Sequence, residues 1–299
     1  MVDNDSKDDS KILITKSFPQ VQWLQMGYNA GFARANNFGI NSAKGDAVLL
    51  LNPDTIVMDN AIERCYKQFV KNAYPACGVQ LLNADLSPQI SGNYFMKGGL
   101  NHLLPLPYWG KVLRTIAFSF NAKKTNIADA KDVTEVDWIS GAFLMVKKTA
   151  IKKIGLMDED FFLYAEEVEW CARLRNLGPL CIYGQIRMVH LMGETITAAS
   201  DSTDNSYFNL YDKKGLQLIV SNHVRIRKQY GVGWFLFQLL NYSFGVLIFY
   251  IVGFLDNLFR LKNPFTHISK ANGLAKNVLT VWGLSPKIIS GKPHFYKMF

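Results

Sequence analysis

Helical and strand-like periodicities alternate along the first 190 residues of the chain. From Gly31 the positions Ala33, Asn37, Ile40 and Lys44 recur at helical spacing, and Gly45 is a natural stop. Ala47-Val48-Leu49-Leu50-Leu51 follows as an unbroken apolar run, the pattern of a strand covered on both faces in a parallel sheet. The next helix is predicted over roughly 59–72, where Ile62, Cys65, Tyr66, Phe69 and Val70 form an amphipathic stripe. Further strands are predicted over 141–146 and 182–189, and a helix over about 166–177 that ends at Gly178-Pro179. Alternation of this kind predicts an α/β fold, a mostly parallel sheet flanked by helices.

Beyond His190 the pattern changes. Residues 194–206 are rich in Ser, Thr and Asp and have no period, so they read as a loop, either a lid or a plain linker. Trp234 to Leu255 is a run of 22 residues without a charge, about the length of a bilayer-crossing helix. Lys213, Lys214, Arg225, Arg227 and Lys228 precede it and Arg260, Lys262, Lys270 and Lys276 follow it, so the positive-inside rule selects no orientation. An in-plane or re-entrant membrane segment, a true span and a buried core helix are three open readings of this run.

Composition adds a division of the chain. Hydrophobic residues at 49% and charged residues at 19% are enough to bury a real core and exclude a disordered chain. The net charge of +9 is uneven: residues 1–211 hold 21 Lys and Arg against 22 Asp and Glu, whereas 212–299 hold 12 against 2. Two domains are expected, a near-neutral one over 1–211 and a basic, apolar helical tail over 212–299 drawn to anionic lipid. Nucleic acid is not an expected partner, because the basic residues flank apolar runs rather than interleaving with aromatics on a soluble face. Cys65, Cys77, Cys171 and Cys181 lack C-x-x-C spacing, which predicts reduced thiols in a cytosolic compartment and no zinc site. The acidic, polar start, MVDNDSKDDS, is unlike a signal peptide.

Three places carry candidate chemistry. Asn52-Pro53-Asp54-Thr55 directly follows an apolar strand, where open α/β sheets bind ligands. Asp54 there is either a hard oxygen ligand for Mg²⁺ or Mn²⁺ or part of an ordinary Asn-Pro-Asp turn. Between Asp158 and Glu169 six acids are interrupted by Phe161, Phe162 and Tyr164. Acids cap a helix N-terminus favourably, whereas an aromatic wall raises a carboxyl toward the pKa of a general base. Glu166 and Glu167 are adjacent and point about 100° apart on a helix, so one can face a pocket while the other holds the backbone or a cation. His190, after a strand and before the loop, reads as a structural histidine or as a metal or phosphate ligand.

Taken in order, these segments resemble the family 2 glycosyltransferases with the GT-A fold, most of all the bacterial rhamnosyl- and galactofuranosyltransferase branch. Val2-Asp3-Asn4-Asp5-Ser6-Lys7-Asp8 is similar to the family's V-D-N-x-S-x-D segment, and Asn29-Ala30-Gly31-Phe32-Ala33 with Asn37 and Gly39 to its N-x-G-F-A helix. Asn52-Pro53-Asp54 resembles its variant metal-binding D-x-D, Gly141-Ala142-Phe143 its acceptor-side strand, Phe161 to Glu169 its F-F-x-Y-x-E-D-x-D, and Val189-His190 its closing V-H. The chain has Glu at 167 and 169 where the family more often has Asp. The resemblance implies an inverting transfer from a nucleotide-diphospho-sugar to a glycan or lipid-linked glycan acceptor, at the cytoplasmic face of a bacterial membrane. It implies donor-binding roles for Asp3, Asn4, Asn29, Gly31, Asn37 and Asn52. Asp54 and His190 would hold a divalent metal (Mg or Mn), and Glu167 would be the base, with Glu166 beside it. Family members carry a strand and helix ahead of the V-D-N segment, so the sheet is expected to lack its first strand. The rival reading is a catalytically inactive glycosyltransferase-like protein that binds a membrane.

Overall fold

The computed structural model describes residues 1–119, 127–191 and 209–299, and the loop expected over 194–206 lies outside these described residues. In chain order the elements begin β1 (Val2–Asp3), α1 (Ser10–Ser17), β2 (Leu24–Gln25), α2 (Gly31–Ser42), β3 (Ala47–Leu51), β4 (Thr55–Val57), α3 (Ala61–Phe69) and β5 (Ala76–Leu82). Then follow β6 (Gly92–Asn93), a 3-10 segment Lys97–Leu103, α4 (Trp109–Ser119), β7 (Val133–Val136), β8 (Trp138–Ile139), β9 (Phe143–Lys147), α5 (Lys148–Ile154), α6 (Glu166–Leu174) and β10 (Leu180–His190). The chain closes with α7 (Lys213–Tyr230), α8 (Val232–Phe259) and α9 (Ile268–Ser290). The described parts of Met1–Tyr94 and Asn126–Met192 form one compact unit, and those of Phe95–Thr125 and Gly193–Phe299 a second.

The first unit is an α/β layer structure built on a six-stranded sheet in the order β3-β9-β5-β10-β4, with β7 also on β10. The expected mostly parallel sheet is corrected here, because the sheet is mixed. Only β5 and β10 run parallel, while β3–β9, β5–β9, β10–β4 and β10–β7 are antiparallel. The cause is visible at β9: the chain enters it from Gly141 beside the end of β3, where Leu51 pairs with Phe143, so it must run back along β3. A separate parallel ladder joins β1 to β2 through Val2–Leu24 and Asp3–Gln25.

β3 is an edge strand, and its five residues alternate rather than being covered throughout, with Val48 and Leu50 buried and Leu51 exposed. β5 is buried along its whole length of seven residues. In α3 the buried face is Ala61, Cys65 and Phe69, while Tyr66 and Val70 from the expected stripe are exposed. One core cluster holds Val48, Leu50, Leu144, Val146, Ile182 and Trp170. A second gathers Cys65, Phe69, Val79, Leu81, Phe143 and Met188.

Helix α2 starts on a glycine for a steric reason. Gly31 has φ +79°, and a Cβ there would lie 2.3 Å from the Phe162 carbonyl oxygen, which accepts a 2.9 Å hydrogen bond from the Phe32 N–H. Gly31→Ala combines a left-handed strain with this overlap, so it should cost about 3 kcal/mol or more and lower the unfolding midpoint by several degrees. A midpoint within a degree of the parent would show that the loop at Phe162 yields easily, against this close packing.

The second unit consists of the long helices α7, α8 and α9 with α4 and the 3-10 segment. Asp212 caps α7, its Oδ1 accepting from the Gly215 N–H at 2.8 Å, which satisfies one of the donors left free at a helix start. Helix α8 is the one described helix long and apolar enough to cross a membrane by length and composition, with a mean hydropathy of 1.8 over its best window.

Candidate active site

Three groups of residues meet at the carboxyl end of β3 and around the start of α2. The first joins β1 to α2. Asn4 Oδ1 accepts from the Ala30 N–H at 2.8 Å, and Asn4 Nδ2 donates to Asn29 Oδ1 at 3.2 Å and to the Gly31 carbonyl at 3.4 Å. Asn29 Oδ1 in turn accepts from the Gly31 N–H at 3.1 Å. Asp3 is buried and accepts from the Ser6 N–H and from Gln25 Nε2. Burial raises its carboxyl, but hydrogen bonds from Ser6 and Gln25 outweigh that and hold its pKa below the usual value.

Asn37 is not part of this cluster. Its amide is used on the backbone of Met157, donating to the carbonyl at 2.9 Å and accepting from the N–H at 3.0 Å, with a further 3.1 Å bond to Glu159 Oε1. Buried to 2% exposure, it anchors the base of the acidic segment to α2.

The second group follows from strand register. Thr55 of β4 pairs with His190 of β10, and the Leu191 N–H donates to the Asp54 carbonyl at 2.9 Å, so the two side chains next to this pairing face each other. His190 Nε2 lies 3.4 Å from Asp54 Oδ1. The turn before them is closed by Thr55 Oγ1 donating to the Asn52 carbonyl at 2.7 Å, and the Asn52 N–H is tied to Ala142 O at 3.1 Å.

Gln89 decides the histidine's tautomer. Its Nε2 donates to Asn83 Oδ1 at 2.9 Å and to the His190 carbonyl at 3.2 Å, which leaves Oε1 as an acceptor 2.7 Å from His190 Nδ1. In the neutral ring Nδ1 therefore carries the hydrogen, and the Nε2 lone pair points at the Asp54 carboxylate. Two electron-rich atoms so placed are the natural coordination pair of a cation. Among the described residues no group of three or more His, Cys, Asp or Glu side chains is placed to hold a metal ion. A two-ligand platform of this kind suits a hard divalent ion that takes its remaining oxygens from a bound diphosphate and water. Gln89→Leu should release the ring, and long-range ¹H–¹⁵N spectra of the metal-free protein should then show His190 losing its single Nδ1–H pattern. An unchanged pattern would remove Gln89 from this role.

The third group is the acidic segment. Asp158 Oδ1 caps the Asp160 N–H, Glu159 meets Asn37 and Arg34, and Glu169 forms a two-pronged pair with Arg173 at 2.7 Å. Arg173 also donates to the carbonyls of Ile154 and Leu156, so Glu169 serves structure. Glu166 and Glu167 open α6, and the turn before them is strained: Tyr164 and Ala165 have φ +70° and +69°. Left-handed backbone at an aromatic residue is uncommon and persists where surroundings enforce it, here the buried Phe161 and Phe162. Glu167 is half-buried, and a Cβ on Gly141 would lie 3.8 Å from its Cβ and 3.1 Å from the Phe32 ring. The acidic segment thus touches both the Gly141-Ala142 turn that leads into β9 and the start of α2.

Glu166 is only 3% exposed, and its Oε2 accepts no hydrogen bond from the described residues. Burial, then the charge of Glu167, pushes its carboxyl well above the usual range. Between the ordinary carboxyl pKa and this raised one, the folded state keeps a proton that the unfolded state releases, so stability falls as pH rises through that window. Glu166→Gln removes the penalty. Its unfolding midpoint should match the parent's near pH 4 and exceed it increasingly toward pH 8, whereas a difference independent of pH would contradict the raised carboxyl.

The family model described as Glycosyl transferase family 2 matches residues 1–127. The chain is 27% identical over 185 residues to the Low-salt glycan biosynthesis hexosyltransferase Agl10 of Haloferax volcanii, covering 59% of this chain and 52% of that one. It is 26% identical over 200 residues to the N-acetylglucosaminyl-diphospho-decaprenol L-rhamnosyltransferase of Mycobacterium tuberculosis, covering 61% and 62%. The chain therefore spans between half and two thirds of the length of these relatives. Among solved structures, the mannosyltransferase PcManGT from Pyrobaculum calidifontis in complex with GDP-Man and Mn2+ superposes with a TM-score of 0.48 at 11% identity, over 97% of this chain and 73% of that one. Residues 1–127, with Asp3, Asn29, Gly31 and Asp54 among them, are the part of this chain that matches the Glycosyl transferase family 2 model, and the relatives named above are a hexosyltransferase and a rhamnosyltransferase.

Proposed function

We propose that this chain is an inverting glycosyltransferase that moves a hexose or deoxyhexose from a nucleotide-diphospho-sugar to a hydroxyl of a glycan acceptor, lipid-linked or polysaccharide, in cell-surface polysaccharide synthesis. The observation that carries the reading is the Asp54–His190 pair, 3.4 Å apart, with Asp54 inside the residues 1–127 that match the Glycosyl transferase family 2 model. The lipid-diphosphate acceptor named for the mycobacterial relative supports a lipid-linked acceptor, and the proposal places the transfer at the cytoplasmic face of a bacterial membrane. In this reading residues 1–211 carry catalysis, apart from 95–119, which packs within the second unit, and 212–299 carry membrane attachment.

Asp3, Asn4, Asn29 and Gly31 would cradle the nucleotide, with Asn52 beside the diphosphate and Asn37 acting from behind by holding the acidic segment. Asp54 and His190 would hold Mg²⁺ or Mn²⁺, which when bound supplies positive charge against the departing diphosphate. Glu167 takes the proton of the acceptor hydroxyl as its oxygen bonds to the anomeric carbon. The bond from that carbon to the diphosphate oxygen breaks on the opposite face, the diphosphate leaves with the electron pair, and the configuration inverts. Glu166, buried and raised, keeps the charge beside Glu167 low.

The test is transfer from a panel of nucleotide sugars to lipid-linked and free glycans, with the anomeric configuration of the product read by NMR. Metal-dependent transfer with inversion is expected. Neither transfer nor metal-dependent donor hydrolysis with any nucleotide sugar would instead establish the inactive, membrane-binding relative.

A further inference from the structure

Helix α8 has two unlike faces. One is packed within its own unit: Gln238 Nε2 donates to the Gly98 carbonyl at 2.7 Å, Tyr242 Oη to the His102 carbonyl at 2.9 Å, and Phe235 and Leu239 are fully buried. The other is open. Phe237, Leu240, Phe244, Leu247, Ile251, Leu255 and Leu258 recur at three- and four-residue intervals, and each is between 41% and 62% exposed. At 1.5 Å per residue this stripe is about 30 Å long.

The open face widens on both sides. Trp109 of α4 donates its indole N–H to Asn241 Oδ1 at 3.1 Å and stacks edge-on against Phe244, with ring centroids 4.9 Å apart. Val112 and Ile116, both exposed, continue from Trp109 at i+3 and i+7. On the other flank Trp282 of α9 donates to Ser243 Oγ at 2.9 Å, and Leu279 one turn before it is 68% exposed. Phe259 at the end of α8 and Leu261 just past it are 82% and 96% exposed. Lone exposed apolar side chains are ordinary, but a contiguous apolar face on three helices is not.

Charge identifies the occupant. The described residues of this unit hold 15 Lys and Arg against 2 acids, Asp212 and Asp256. Several of these cations sit beside the apolar positions and are exposed: Lys111 and Arg114 next to Val112, Arg260 and Lys262 next to Leu261, and Lys276 one turn from Leu279. Indole rings, aliphatic side chains and interleaved cations together match the interface of an anionic bilayer.

We infer that α4, α8 and α9 form one membrane-binding face on which α8 lies in the plane of an anionic phospholipid surface, inserted by its open stripe rather than crossing the bilayer. The packed face argues against a crossing. Arg225 of α7, only 2% exposed, bonds to His102 Nε2 at 2.8 Å, and His102 is tied to Tyr242 at the middle of α8. The 3-10 segment bonded to α8 at Gly98 and His102 has left-handed backbone at Gly98 and Gly99. A crossing would carry this guanidinium and this irregular backbone to hydrocarbon depth, which lipid disfavours. The inference deepens the membrane attachment in the proposed function and rests on that reading only for its biological setting.

The full chain is tested by flotation with vesicles of phosphatidylcholine alone and of phosphatidylcholine with a quarter phosphatidylglycerol, without donor or acceptor. Binding to the anionic vesicles should exceed binding to the neutral ones about tenfold, and Leu240→Glu with Leu247→Glu should reduce it about tenfold. Both positions are exposed, so the unfolding midpoint of this double variant should stay at the parent's value. The four native cysteines are buried, so nitroxides can be placed selectively on Leu240→Cys, Leu247→Cys and Leu258→Cys. In-plane binding puts all three labels at one shallow depth. A label at 247 much deeper than the other two would establish a span and overturn the inference, as would vesicle binding indifferent to the double variant. Labels immobilised without lipid in a concentration-dependent dimer would assign the face to a second copy. None of these readouts depends on glycosyl transfer, so a chain that binds vesicles in this way without transferring sugar, or transfers sugar without binding, separates the two claims.

Discussion

Asp54→Ala is expected to abolish glycosyl transfer and to remove the metal dependence of nucleotide binding. The carboxylate is held by its turn, with Thr55 locking Asn52 and Leu191 bonded to the Asp54 carbonyl, so truncating the side chain should leave the backbone in place. In the proposed site this removes one of the two described side chains that would hold the cation, and His190 alone would leave a single protein ligand. A metal-stabilised leaving group accounts for several kcal/mol of a transfer barrier, so a loss of about 10³-fold or more in kcat/KM is the expected scale. Calorimetric titration of nucleoside diphosphate with and without Mn²⁺ gives a second readout: the parent should bind more tightly with metal, and the variant should not distinguish the two conditions. Metal-stimulated activity that survives the substitution would move the metal site elsewhere.

Glu167→Gln should lower kcat by about 10² or more and leave donor affinity within a few-fold. Its Cβ lies beside Gly141, in the turn that leads into β9, and the Phe32 ring at the start of α2 packs on the same glycine. Glutamine preserves size and most hydrogen bonding but cannot accept a proton, so the effect should fall on the chemical step. Glu166→Gln is the internal control. Its carboxyl is buried and already held protonated by its surroundings at pH values where ordinary carboxyls ionise, so a neutral amide there should cost far less activity. If the 10²-fold loss follows Glu166 and not Glu167, the two roles are exchanged.

The small glycine at the start of α2, the apolar run ending at Asn52, and the acids ahead of Trp170 were all legible in the chain, because each is a local requirement. Only glycine fits φ +79° against the Phe162 carbonyl, and a carboxylate and an imidazole at strand ends are side chains able to ligate a hard or borderline metal. Helices were legible to within a few residues for the same reason: α2, predicted from Gly31 and stopping at Gly45, runs Gly31–Ser42, and the helix predicted over 166–177 is α6 followed by one 3-10 turn, Arg175–Leu177.

Strand direction and partnership were not legible. An apolar run such as Ala47–Leu51 announces burial, but whether neighbours run parallel or antiparallel depends on where distant chain segments enter the sheet, here β9 at the end of β3. Gln89 carried no signal of its own, since its importance comes from meeting a histidine 101 positions away. Segment 95–119 showed no sign of belonging with the basic tail until its packing on α7 and α8 placed it there. The sequence by itself determined which residues could do chemistry, because that follows from side-chain type and local backbone demand. The tertiary structure alone decided that Asp54 faces His190, that Asn37 holds Met157 rather than standing with Asn4 and Asn29, and that Glu166 is buried while Glu167 is half open, because these depend on long-range register and packing that no local pattern encodes.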